Sequence, residues 1–294
     1  MPLFSTGSRN SEAPIDAAAA YCIEQVRSFD KERFLCTLFA PAETRAALAA
    51  LYALDLELSR IHSRTREPLV GFMRVQWWRD AIGAIYAGRG PDHPVVSALT
   101  TAIGRHNLPH DAFAPLLTAR ERELASEAVP DIAALIAHVQ ETTTPIATLA
   151  LTVLTCDGST ERLAACDVSI GWALAGLLRA LPADARAQTL ALPQAVAQAA
   201  ALTDTDPLRA SARPQLRAAV SMVAATAREH LAAARRRRTE VSKQALPVLL
   251  WATYAQGHLN DLKRAGHDPF AVRPARRAPL RMIAAAANHA RGRY

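Results

Sequence analysis

The chain has 294 residues, half of them apolar and 5% aromatic, with little glycine and a net charge of +7 carried mostly by arginine. That length suffices for one large domain or two small ones, and no stretch reaches the ~20 uninterrupted apolar residues of a membrane-spanning helix. Residues 1–14 lack the apolar core of a signal peptide, so a soluble, cytoplasmic protein is expected. The basic charge permits an anionic partner such as a membrane surface or a pyrophosphate, without choosing among them; no nucleic-acid partner is expected. Cys22, Cys36, Cys156 and Cys166 form no CxxC pair and read as buried, reduced thiols.

In chain order, residues 1–14 read as a flexible arm, and 15–294 as one all-α domain of about ten helices. A helix is predicted over 15–28. The segment 29–45 follows with a dense apolar group, Phe34, Leu35, Leu38 and Phe39, before Pro41 opens a new helix. The stretch 48–85 organises the rest as two helices joined near Arg66, Glu67 and Pro68. The first has a stripe at Leu51, Leu54, Leu58 and Ile61, spaced three and four apart; the second has Val75, Trp78, Ile82 and Ile85. Asp55, Glu57, Ser59, Arg60 and Ser63 are assigned to the polar faces of the first, and Arg74, Gln76, Arg79 and Asp80 to those of the second. Adjacent Trp77 and Trp78 point ~100° apart, so one is expected in the core and the other near a cavity or neighbouring helix.

Beyond the loop at Gly88, Pro94 opens a helix to about His106, and Asn107-Leu108-Pro109 breaks it. The helix over 113–127 carries Arg120-Glu121-Arg122-Glu123, expected to be a solvated face with i,i+3 and i,i+4 pairs. Asp131 begins a helix to about Leu154 that contains Pro145, and 164–181 is the most apolar helix, ending at Pro182. Residues 183–213 have no clear period. Long helices follow over 214–240, ending in four arginines that suit a helix C-terminus, and over 244–264; the basic tail ends in a short amphipathic helix.

Few clusters suggest catalysis: there is no HExxH, GxSxG or P-loop motif, and the nine histidines have no ligand spacing. An isoprenoid synthase needs two aspartate-rich helix segments facing one cavity, whose Mg²⁺ ions draw off the pyrophosphate. That pattern is missing here.

The stretch 38–61, with Pro41, Arg45 and Leu51-Tyr52-Ala53, resembles the squalene/phytoene synthase family. So do Trp78 followed by His93-Pro94-Val95, then Gly171-Trp172-Ala173-Leu174, Leu178-Arg179 and Leu192-Pro193. The resemblance runs from about Tyr21 to the C-terminus and implies one all-α isoprenoid-synthase bundle around a central cavity. The departures carry the functional information. Counted without gaps from Pro41, the family's first DDxxD motif falls on Ser59, Arg60 and Ser63. Its pyrophosphate-contacting Ser-x-Ser-Phe falls on Asp30-Lys31-Glu32-Arg33. Its second motif, Asp-x-x-x-Asp, falls on Ala180 and Asp184 with Pro182 between. An arginine in a metal site repels the ion.

Phe34-Leu35-Cys36, Met73-Arg74-Val75-Gln76-Trp77-Trp78, Arg105-His106-Asn107-Leu108 and Leu178-Arg179-Ala180-Leu181-Pro182 are similar to the branch of this family that assembles mitochondrial respiratory complex I. The resemblance implies a bacterial-type pseudo-synthase with no cofactor and no bound metal. Its partners would be complex I subunits or assembly intermediates, with peripheral contact at the inner face of the membrane. Asp55, Arg60, Arg74, Trp77, Trp78 and Arg179 are the candidate cavity residues. Arg60, Arg74 and Arg179, if convergent, would grip an anionic head group, and the cavity would hold a lipid, quinone or prenyl chain. The alternative is an active prenyl-diphosphate transferase, requiring Mg²⁺ and replacement ligands from Asp55, Glu57, Glu123 and Asp184; otherwise Asp55 is expected to form a buried or half-buried ion pair with Arg60 or another arginine.

Overall fold

A computed structural model describes residues 16–65, 67–125, 129–186, 192–202, 213–272 and 278–294. The expected arm over 1–14 and the Arg66 joint lie outside the described residues, as does the side chain of Ser63. Helices α1 (Ala17–Phe29), α2 (Lys31–Thr37), α3 (Ala42–Arg64), α4 (Pro68–Tyr86) and α5 (Pro94–His106) form the first half with α6 (Ala114–Leu124) and α7 (Ile132–Val153). Then come α8 (Ser159–Arg186), α9 (Gln194–Ala199), α10 (Arg213–Arg236), α11 (Leu246–Leu249), α12 (Trp251–Arg264) and α13 (Ala278–Ala290). Among the described residues there is no strand.

Short polar side chains set the helix starts. The carboxylates of Asp16 and Asp131 accept from the backbone N–H groups of Ala19 and Ala134, at 2.6 and 2.8 Å. Asp30 ends α1 and caps α2, accepting from the Arg33 N–H at 3.1 Å. Asn107 takes a left-handed conformation, φ 49°, which closes α5. α8 is the axis of the bundle, packed on α7, α10 and α12. Gly171 permits its close approach to α10: a Cβ there would meet Leu231 Cδ2 at 2.5 Å.

The predicted stripes are buried as expected. Leu51, Leu54, Leu58 and Ile61 on α3 enter the core, as do Val75, Trp78, Ile82 and Ile85 on α4. Four expectations are corrected. Phe34, Leu35 and Phe39 are half-buried against the core as expected, but Leu38 is exposed, and the fully buried side chains of α2 are Arg33, Cys36 and Thr37. α8 begins at Ser159 and runs through Pro182 to Arg186, because proline costs one hydrogen bond that a long packed helix can forgo. The helix expected over 244–264 is broken into a 3₁₀ turn, α11 and α12, since Pro247 suits a helix start better than an interior. Arg235 and Arg237 are bonded to Gln256 and Asp167 rather than held in water.

α8 is also long and apolar enough to cross a membrane, but half of its most apolar window is buried in the bundle. Cys22, Cys36 and Cys156 are buried free thiols and Cys166 is half-buried.

Candidate functional site

Asp55 lies on the core face of α3, in register with Leu48, Leu51, Tyr52 and Leu58, and not on a polar face. Its two oxygens separate two arginines. Oδ2 accepts from Arg33 Nη1 of α2 at 2.8 Å, and Oδ1 accepts from Arg120 Nη2 of α6 at 3.1 Å. Arg33 also pairs with Asp30, and Arg120 donates to Glu123 Oε1 at 2.7 Å. Glu123 Oε1 lies 2.8 Å from His138 Nε2 on α7. The chain Asp30–Arg33–Asp55–Arg120–Glu123–His138 thus joins four helices through the interior. Arg120 therefore does not sit on a solvated face; it replaces an apolar residue in the buried register of Phe113, Leu116, Leu117 and Leu124.

Burial alone would lower the pKa of the Arg33 guanidinium, but the charges of Asp30 and Asp55 raise it above its usual value. Its plane also sits over the rings of Tyr52 and Trp251, 5.0 and 5.5 Å away. Burial pushes the Glu123 carboxyl up, yet the His138 hydrogen bond and Arg120 hold it below its ordinary value.

A second group lies beside the first. Glu32 of α2 accepts from His258 Nε2 of α12 at 2.8 and 3.0 Å, and lies 3.6 Å from both Arg281 of α13 and Arg179 of α8. Arg281 also pairs with Asp261. It crosses Gly257, where an added Cβ would stand 2.9 Å from Arg281 Cδ. Burial raises the pKa of Glu32, but His258, Arg179 and Arg281 together hold it below its ordinary value.

Between these groups lies a cleft of about 130 Å³, lined by Asp30, Arg33, Asp55, Trp172, Arg179 and His258 among others. Arg179 and His258 also line an apolar slot of about 330 Å³ between α8 and α12, closed by Pro269, Phe270 and Val272. The donor set does not fit the Mg²⁺ ions of an isoprenoid synthase. Asp30 and Asp55 are ion-paired to arginine. Among the described residues, no three His, Cys, Asp or Glu side chains are grouped to hold a metal ion. The arrangement can instead receive an apolar chain with an anionic end beside Arg179 and His258.

The candidate residues divide between two places. Asp55 and Arg179 line the interior cleft. Arg60 and Arg74 line a separate surface cleft of about 300 Å³ between α3 and α4, with Glu57, Ile61, Trp77, Trp78 and His93. The three arginines therefore do not converge. Arg60 stacks on Phe29, 3.8 Å from the ring centroid; the arginines that pair with Asp55 are Arg33 and Arg120. Trp78 is 5% exposed and Trp77 41%, as adjacent positions on a helix surface require; both rings meet His93 edge-on, at 5.3 and 5.4 Å. Ala180 is exposed. Asp184 is half-buried, and burial raises its pKa; it does not line the interior cleft. Sequence reasoning marked Glu32 and Arg33 only as departures from the pyrophosphate-contacting motif, and it missed Arg120 and His258 as site residues. The signal for Arg120 was its position in an apolar register; His258 has no comparable signal.

A family model described as squalene/phytoene synthase matches residues 26–284. Curated relatives named NADH dehydrogenase (ubiquinone) complex I, assembly factor 6, are 29% identical in Bos taurus and 28% in Homo sapiens. Each match spans 250 residues, 85% of this chain and 75% of the relative. The homologue of that name in Dictyostelium discoideum is 22% identical over 268 residues, 90% of this chain and 75% of its own. The fold is similar to that of the squalene synthase HpnC of Alicyclobacillus acidocaldarius, with TM-score 0.73, 18% identity and 86% and 95% of the two chains covered. It is also similar to a dehydrosqualene synthase, with TM-score 0.80, 15% identity and 93% and 95% covered. The chain belongs to the squalene/phytoene synthase family.

Proposed function

We propose that this protein is a non-catalytic accessory factor for the assembly of respiratory complex I, built on a synthase fold whose metal site has been lost. The observation that carries the reading is the Asp55 bridge. The carboxylate one turn before the degenerate first motif is bonded to Arg33 and Arg120, where a synthase needs acids facing a diphosphate–Mg²⁺ complex. The names of the relatives from Bos taurus and Homo sapiens supply the partner class, complex I subunits or assembly intermediates. The proposed location is cytoplasmic, peripheral at the inner face of the membrane, with no cofactor.

The test is a deletion strain of the source organism, read for assembled complex I on native gels and for NADH:ubiquinone activity. It is run beside turnover of farnesyl and geranylgeranyl diphosphate with Mg²⁺ by the purified chain. Loss of assembled complex, restored by the wild-type gene, with no turnover is the expected result. Turnover, or intact complex I in the deletion strain, overturns the proposal. The 330 Å³ slot favours a second, compatible reading, in which an apolar prenyl, lipid or quinone chain is held there without reaction. Saturable binding of a fluorescent prenyl alcohol, abolished by Leu259→Trp, is the expected result.

A further inference from the structure

α4 is apolar on both sides over its first half. Gly71, Val75 and Trp78 face the core, which any surface helix requires. On the opposite face Leu69, Met73 and Trp77, spaced four apart, stand 69, 64 and 41% exposed, with Val70 and Phe72 exposed beside them. Five large apolar side chains on two turns of one helix exceed the scattered exposure of an ordinary surface. Trp77 also forms one wall of the cleft that holds Arg60 and Arg74, so the apolar face and a cationic cleft are continuous. Glu57 lines the same cleft. Over residues 60–78 the sequence has arginines at 60, 64, 66 and 74 against the single acid Glu67.

We infer that this face of α4 docks on an anionic lipid bilayer, with Leu69, Met73 and Trp77 in the acyl boundary and Arg60 and Arg74 at the phosphate level. Charge complementarity selects the occupant: a cleft bearing Arg60 and Arg74 beside a Trp- and Leu-bearing apolar face matches the two attractions that hold an interfacial helix. A tryptophan at the rim of such a face occupies the depth its ring prefers. The inference rests on the peripheral location proposed above and identifies the surface that makes the contact.

The experiment is flotation of the full chain with vesicles of phosphatidylcholine alone and of phosphatidylcholine mixed with phosphatidylglycerol. The wild type is expected to float with the anionic vesicles and to be released as salt rises. Leu69→Ser with Met73→Ser should weaken partitioning roughly tenfold or more, and Arg74→Gln by a smaller factor. Leu163→Ser, an exposed site on α8, serves as the control and should change nothing. Quenching of tryptophan fluorescence by brominated acyl chains should fall in Trp77→Phe. The substituted side chains are exposed, and unchanged thermal unfolding verifies that each variant folds.

A wild type that stays in solution overturns the inference, as does equal flotation with neutral vesicles or a double variant that floats like the wild type. Concentration-dependent dimerisation abolished by the double variant, without flotation, assigns the face to a second copy and overturns it too. The assembly reading fails separately: a chain that floats as expected while its deletion leaves complex I intact refutes that reading and not this one.

Discussion

Substitution of Asp55 by alanine separates a structural carboxylate from a functional one by the sign of its effect on stability. Asp55 is buried between two buried guanidinium groups, 2.8 and 3.1 Å away. Removing one partner of a buried ion pair costs roughly 3–5 kcal/mol, because the partner's charge is left without compensation. Here Arg33 retains Asp30 and Arg120 retains Glu123, so the loss belongs at the low end, about 3 kcal/mol. At roughly 2–4 °C per kcal/mol for a large domain, Tm should fall by about 6–12 °C. Urea unfolding should show a lower midpoint at unchanged slope. A double-mutant cycle with Arg120→Ala should give a coupling of about 1–3 kcal/mol, as expected for residues in one network. An acid held for a metal behaves oppositely: without the ion it is repelled by its fellow acids, and its removal stabilises the protein. A more stable or unchanged Asp55→Ala refutes the reasoning.

The pH dependence follows from Glu32 and Glu123, whose carboxyls are held below their ordinary value near 4.5. Such groups bind fewer protons folded than unfolded, so their stabilisation is present above pH ~4.5 and lost as pH falls through the lowered folded values. Urea midpoints should therefore decline below that pH, and Glu32→Gln should flatten the decline; an unchanged slope contradicts the assignment. Burial pushes the Cys22 and Cys156 thiols up to about 12 and Cys36 well above its ordinary value. A thiol reagent at pH 8 should thus react quickly only with half-buried Cys166, the others waiting for unfolding. Gly171→Ala drives a methyl into Leu231 and the Ala227 carbonyl and should cost about 1–3 kcal/mol by overpacking the α8–α10 contact, read as a lowered urea midpoint.

The helical layout was legible because a 3.6-residue period with a proline or polar cap at each start leaves few alternatives. The α3 and α4 stripes and the break at Asn107 come from that signal alone. The site was less legible, and for a definite physical reason. Sequence reading sorts charged residues onto solvated faces, since burying an unpaired charge is prohibitive. Asp55, Arg33 and Arg120 are each affordable in the core only because the others are there, and they lie on three different helices. No local pattern contains that information. The register in which Arg120 follows Leu116 and Leu117 does mark it as inward-facing. In the four-arginine run at 235–238, Arg236 and Arg238 are exposed as expected, but Arg235 and Arg237 are not, since their acceptors lie on α12 and α8.

Under the proposed non-catalytic role, the network also bears on how a bundle of this family is stable without clustered acids. Clustered carboxylates repel one another, and an enzyme tolerates that strain because the metal and substrate repay it. In this chain the same interior holds alternating charges, Asp30, Arg33, Asp55, Arg120 and Glu123, each touching the opposite sign. These pairs tie α2, α3 and α6 together, while Glu32 ties α2 to α12 and α13. On that reading the interior charges compensate one another and need no ion to be stable. On the proposed reading the fold acts through its surface, and the apolar face of α4 with its arginine-lined cleft departs from an ordinary solvated one.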